Sequence, residues 1–240
     1  MTRLSPPLHR AGHFGKVSSH IRASLLVLAS VALLPGTIRA QEALPEQVRR
    51  PDPNDALDAR SWSVMAFKGW SNDQTLGRTV RFIWDYAGED VYGVDVAYTI
   101  PTSTGFGRFL DRHLAARFQV AGKLNARAQP SKDWIPELDL YFSLRWRRLP
   151  WNHLVATSFA IGEGLSIAGA VPEVEVLTTE VGRTNHLMNY LMLEATFAVP
   201  SLPQLQLVGR IHHRSGMFGV FNGARESGSN TVGLGFRMHI

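Results

Sequence analysis

Cysteine is absent from all 240 residues. Neither disulfides nor a lipid-modified N-terminal cysteine can therefore operate, and an exported chain of this kind needs a large core or another stabilising device. An apolar run long enough to cross a bilayer as a helix is missing too. "ASLLVLASVALL", Ala23 to Leu34, extends only 12 residues, against the roughly 20 a helical span requires. The first forty residues lack acid while holding Arg3, Arg10, Lys16, Arg22 and Arg39. A basic start, a short apolar core, "PGTIRA" and then the polar "QEALPEQ" read as a secretory signal peptide over residues 1–40 rather than a membrane anchor. Beyond residue 40 neither sign of charge is in excess, with 20 basic and 20 acidic residues. The high isoelectric point thus belongs to the leader, and no nucleic-acid partner is expected.

Residues 41–60 are charged, rich in proline and poor in apolar residues, which predicts a disordered periplasmic tail or linker. From Ser61 the pattern changes to strict alternation. In "NTVGLGFRMHI" Val232, Leu234, Phe236, Met238 and Ile240 share one face. In "ELDLYFSLRW" Leu138, Leu140, Phe142, Leu144 and Trp146 oppose Glu137, Asp139, Tyr141, Ser143 and Arg145. Strands are expected near 61–69, 91–100, 113–125, 135–147, 153–162, 187–199, 204–214 and 230–240. A ninth candidate is "TVRFIWDY", Thr79 to Tyr86.

A soluble sandwich also alternates, but three features favour a membrane barrel. The strands are longer than the usual five or six residues of soluble sheets. Their polar face carries charges of both signs in mid-strand (Arg117, Lys123, Asp139, Arg145, Glu194), as suits a narrow lumen filled by ion pairs. Short connections ("RRLPWN", "PSLPQ") alternate with long ones at 162–186 and 215–229, like periplasmic turns and outer loops. The expected fold is therefore an all-β, eight-stranded antiparallel transmembrane β-barrel of the bacterial outer membrane over residues 61–240. Such barrels have an even strand count, so either 61–69 or 79–86 must stand outside the wall. A monomer is expected, and a pore is disfavoured because eight strands leave a lumen that side chains fill. Trp84, Trp134, Trp146 and Trp151 suit interfacial anchors at strand ends.

"RIHHRSGMF", Arg210 to Phe218, carries the candidate chemistry. His213 and Ser215 share the parity of Leu205, Leu207 and Ile211, so both belong to the lipid face near the outer leaflet. Polar groups there cost free energy and need a reason. They are either rim residues among headgroups, or a serine nucleophile and its histidine base working from the side on a lipid. The stretch "RIHHRSGMFGVFNGARESGSNTVGLGFRMHI", with the strand spacing from about Asp133, resembles the C-terminal end of the outer-membrane lipid A 3-O-deacylase family. The resemblance implies an eight-stranded barrel with its serine and histidine on the outer wall, joined by a glutamate, hydrolysing an ester-linked acyl chain of lipid A. It would make Ser215 the nucleophile and His213 the general base. The family's asparagine after the serine is replaced by Gly216.

The third member has two candidates. Counting forward from Ser215 gives Glu226, and counting back from the C-terminus gives Asn230. Hairpin pairing favours Asn230, because the strand it starts lies beside the end of strand 204–214. An amide can orient the imidazole through Nδ1–H, though a carboxylate would stabilise the imidazolium better. The competing reading is a non-catalytic structural or adhesive barrel. His212 faces inward as a structural histidine, and Glu194 should pair with lumen arginines. His113, His153, His186, His212, His213 and His239 lack metal-ligand spacing, so neither metal nor other cofactor is expected. "GEGLS", Gly162 to Ser166, is not the G-x-S-x-G nucleophile elbow, which also needs a strand–turn–helix context. The partners implied are lipopolysaccharide, through its lipid A, and outer-membrane lipids.

Mature protein beginning near Gln41 should fractionate with outer membranes and migrate faster unheated than boiled in detergent gels. Recovery as a soluble periplasmic protein would contradict the barrel.

Overall fold

Alternation gives each strand one face for hydrocarbon and one for the lumen, and eight such strands close on themselves. A computed structural model of the chain describes residues 51–178, 184–216 and 228–240. The expected signal peptide, residues 1–40, lies outside them. The wall consists of β1 (Trp62–Asn72), β2 (Tyr86–Thr99), β3 (Ala116–Ala128), β4 (Trp134–Trp146), β5 (Ala156–Ala168), β6 (Leu187–Ala198), β7 (Leu205–Ser215) and β8 (Gly228–His239). Every neighbour pair is antiparallel, and β1 pairs with β8 to complete the barrel. A rung followed from Trp62 through Tyr98, Phe142, Leu191, His213 and Asn230 returns to β1 at Asn72, ten residues further on. That stagger tilts the strands by about 40–45°.

The two faces sort as the sequence implies. Leu124 and Phe236 are 67% and 66% exposed on the outside, while Lys123, Arg127, Arg210 and Arg214 are fully buried within. An apolar wall around a charged interior is the organisation of an outer-membrane barrel. No helix among the described residues is long and apolar enough to cross a membrane. Glu194 answers three arginines: Arg210 at 2.6 Å, Arg237 at 3.0 Å and Arg145. Arg210 also holds Asp95 at 2.8 Å. Nearer the outer end Glu137 binds Arg127 at 2.7 Å and Arg214 at 2.6 Å. Glycine keeps room for this filling: a Cβ at Gly233 would stand 2.4 Å from the Phe67 ring.

One open alternative is resolved, and three sequence expectations need correction. Of the two candidates for exclusion, 79–86 is outside the wall except for Tyr86, which begins β2, and 61–69 is in it as β1. Residues Leu76–Thr79 form a short helix, α1, whose backbone bonds close locally, and Phe82 at φ 60° interrupts any extended run before Tyr86. Residues 113–115 are not strand, because Gly105–Leu114 forms an amphipathic helix, α2. Thr104 Oγ1 caps its start by accepting from Gly107 N at 3.0 Å, and Ala115 ends it at φ 50°. β5 continues to Ala168, so 162–168 are wall rather than loop, with Leu165 and Ile167 extending the outer apolar row.

The third correction concerns the tail. Within it Pro53–Ala59 is ordered as a 3-10 helix. Leu57 is buried, and Asn54 Nδ2 donates to the carbonyls of Arg147 and Thr157 at 2.9 and 3.0 Å. Asp58 bridges Arg117, at 3.1 Å, and Arg147. Four polar anchors replace the missing apolar residues, which composition alone undervalued.

Burial by itself would raise the Asp58 carboxyl, but the two guanidinium groups hold it below its ordinary 3.8. A depressed carboxylate contributes stability above its unfolded value and loses it as pH falls through the folded one. The 53–59 segment should therefore stay docked at neutral pH and loosen only under strong acid. Asp58→Asn should weaken docking by about 1 kcal/mol, roughly a fivefold larger open population. Limited trypsin cleavage after Arg60 at pH 8, faster in the variant with an unchanged heat-modifiable barrel, would show it.

Candidate active site on the outer wall

β7 presents Leu205, Leu207, Gly209, Ile211, His213 and Ser215 outward, and the last two are partly exposed at its outer end. The register sets Asn230 of β8 directly opposite His213. His213 Nδ1 and Asn230 Oδ1 are 2.8 Å apart. Asn230 Nδ2 in turn donates to the Gln74 carbonyl at 2.7 Å. This second bond fixes which end of the amide faces which neighbour, since a carbonyl accepts only from nitrogen. Asn230 therefore turns its oxygen to the ring, Nδ1 carries the proton, and Nε2 is left with its lone pair.

The loop after β1 makes this possible. Asn72, brought beside Asn230 by the ten-residue stagger, accepts from Gln74 N at 3.0 Å and Asp85 N at 3.1 Å. Its Nδ2 donates to Thr79 Oγ1 at 2.8 Å. The short α1 segment is thereby pinned over the end of the wall, with the Gln74 carbonyl turned to Asn230. Asn230 itself is only 5% exposed.

Ser215 lies two residue pairs further out, opposite Gly228 of β8 and Asn189 of β6. Among the described residues its hydroxyl makes no side-chain hydrogen bond, so register alone joins it to His213 in the resting molecule. Catalytic contacts are often slack before substrate binds. Gly216 is buried just after the strand. Glu226 lies outside the described residues.

Other expected features fall inside. His212 is fully buried, edge-on to Tyr190, with Nδ1 3.2 Å from Lys123 Nζ. It also meets Glu137 and Asp139, and these three offer ligand atoms within 4.8 Å of one another, a grouping that sequence spacing did not reveal. Lys123, Arg127 and Arg214 already supply the positive charge there. A metal cation would meet three like charges and displace existing bonds, so the residues do not fit one. Glu194 pairs with lumen arginines as expected.

Sequence reasoning missed Gln74, Asn189 and Glu163. Gln74 acts through its backbone, which leaves no side-chain signal. Glu163 did leave one: it shares the outward parity of Phe159 and Ile161, so it is an acid on the lipid face.

Known protein-family profiles and curated proteins give no match to the chain. Among solved structures it is similar to the outer membrane enzyme PagL, at 13% identity over 74% of this chain and 99% of that one, with a TM-score of 0.45. Neisserial surface protein A (NspA) is similar at 13% identity over 75% and 97%, TM-score 0.44. Outer membrane protein Ail of Yersinia pestis follows at 11% identity over 75% and 99%, TM-score 0.33. Likeness at this level concerns general barrel architecture.

The double bonding of Asn230 can be tested without a substrate. Asn230→Ala should abolish the slowly exchanging His213 Nδ1 proton in nitrogen-15 NMR spectra. Asn230→Asp should keep it but set a carboxylate against the Gln74 carbonyl. The amides of Gln74 and Asp85 should then exchange faster by roughly tenfold, the loss of a hydrogen bond worth about 1–1.5 kcal/mol.

Proposed function

We propose that the protein is a serine esterase of the outer membrane that removes an ester-linked acyl chain from lipid A in the outer leaflet. Ser215 is the nucleophile, His213 the general base and Asn230 the group that orients the ring. The observation that carries this reading is the bonded pair His213–Asn230, locked by Gln74 and set beside a free serine on the lipid-facing wall. A histidine among headgroups needs no such fixing of its tautomer. The resemblance of the C-terminal stretch to lipid A 3-O-deacylases supports the same assignment.

The geometry supports a concrete sequence of events. A lipid diffusing in the leaflet presents its ester from the side, with its acyl chains along the apolar wall. Nε2 takes the Ser215 proton as Oγ attacks the carbonyl carbon, and the imidazolium returns it to the departing sugar alkoxide. Water then releases the acyl group from the serine by the same proton route. An amide in the orienting place usually fails because it can stabilise the wrong tautomer. Here the Gln74 carbonyl occupies the amide nitrogen, so Asn230 can present only its oxygen. It does not neutralise the imidazolium, and turnover should be slower than with a carboxylate. Glu226 remains a rival for the orienting role.

Mass spectrometry of lipid A from cells with and without the protein should show loss of one acyl chain. Ser215→Ala and His213→Ala should each lower deacylation by at least about a thousandfold and be non-additive together. Asn230→Ala should cost more than Glu226→Gln. Lipid A unchanged by the wild-type protein, or full activity in Ser215→Ala, would leave a non-catalytic structural or adhesive barrel.

A further inference from the structure

From Phe159 to Ile167 the outer wall of β5 is apolar except at one point. Glu163 is the eighth of thirteen residues in that strand and faces outward between Ile161 and Leu165. Its Oε1 is buried without a hydrogen-bond partner among the described residues. An acid at such a position is costly, and neither the lumen network nor the His213–Asn230 pair uses it. Its neighbour is Asn189 of β6, whose direct partner on β5 is Leu165, so Glu163 sits diagonally beneath it. That diagonal puts the Glu163 carboxylate within side-chain reach of the Asn189 amide. Asn189 is 8% exposed and is the direct cross-strand partner of Ser215. Such partners have Cβ atoms about 4.5–5.5 Å apart. Asn189 Nδ2 therefore has the reach to meet an oxygen on a carbon bonded to Ser215 Oγ.

We propose that Asn189 is the oxyanion-stabilising donor of this site, and that Glu163 is the positioning residue that sets its amide; this rests on the esterase reading above. When Oγ–C forms, the carbonyl π pair moves to oxygen, and the Ser215 proton goes to His213 Nε2. The new oxyanion needs N–H donors. When the pair returns, the bond to the sugar oxygen breaks and that oxygen takes the proton from His213. An unheld amide could turn its own oxygen to the oxyanion, which repels it. A carboxylate beneath accepts one Nδ2–H, forces the nitrogen toward Ser215 and leaves the second N–H for the substrate. The reacting pair is then flanked by two amides of opposite sense. Asn230, turned by the Gln74 carbonyl, gives oxygen to the base. Asn189, turned by the Glu163 carboxylate, gives nitrogen to the nucleophile's side.

The full-length protein in detergent micelles, assayed with p-nitrophenyl butyrate and with lipid A, tests this. Each variant is first checked for heat-modifiable migration, and Ser215 for labelling by a fluorophosphonate probe. Asn189→Ala should lower kcat about 10²- to 10³-fold with KM within twofold, the usual effect of removing one oxyanion donor. Asn189→Ser, which keeps a shorter donor, should fall between. Glu163→Ala should lower kcat about tenfold, and Glu163→Gln, which can accept the same N–H, should restore most of it. Wild-type kcat in Asn189→Ala, or Glu163→Gln as impaired as Glu163→Ala, would overturn the assignment. If Ser215→Ala is inactive while Asn189→Ala is fully active, only this assignment falls. If the wild type is inactive and Ser215 is unlabelled, the esterase reading falls and takes this one with it.

Discussion

Charges enclosed in a lumen this narrow must be answered by other charges, and that requirement organises the molecule. Burying an ion costs several kcal/mol unless partners compensate it. Glu194 with Arg145, Arg210 and Arg237, and Glu137 with Arg127 and Arg214, provide the compensation. Shifting any strand by one residue would carry its charges into lipid and its leucines into the lumen. The network therefore fixes the parity of the wall. Once inward positions are committed, the outward ones follow, including those where His213, Ser215, Asn189 and Glu163 interrupt the apolar surface.

Parity decides the face, and closure decides the neighbours. The ten-residue stagger between the start and the return of the rung brings the end of β1 beside the beginning of β8. Asn72 thereby reaches Asn230, and the loop it pins supplies the Gln74 carbonyl. Residues from β5 through β1 meet on one patch of the outer surface. Nothing in this arrangement needs a deep cavity, because the ligand expected there is itself part of the surrounding solvent. A lipid already in the leaflet is concentrated and oriented before it meets the protein. What the wall must contribute is polarity at the right depth, with amides whose direction is set.

The amide orientations connect the fold to its proposed chemistry. A lone asparagine is ambiguous, offering donor or acceptor in the same place. Each of the two beside the histidine–serine pair has a neighbour that can set it: a backbone carbonyl bonded to Asn230 and, in the proposed assignment, a carboxylate diagonal to Asn189. In a low-dielectric setting such contacts weigh more than in water, for good and ill. An unanswered polar group there is expensive, which is why an orphaned carboxylate oxygen on a lipid-facing strand calls for a function.

The sequence by itself determined the strand faces, the charged lumen and the outward placement of His213 and Ser215. All three follow from a side-chain period of two and from the cost of putting charge in lipid. It also put Asn230 beside the end of the strand that carries His213, since hairpin pairing is a local matter, but left Glu226 open; the closed register set Asn230 directly opposite His213. It could not decide between segments 61–69 and 79–86, because both alternate. Local helix bonds and the left-handed Phe82 removed the second from the wall. It undervalued residues 53–59, whose docking rests on Asn54 and Asp58 meeting groups some ninety residues away. Gln74, Asn189 and Glu163 came to the site only through tertiary structure. Which rung meets which depends on the stagger of the closed barrel, and that is a property of all eight pairings at once.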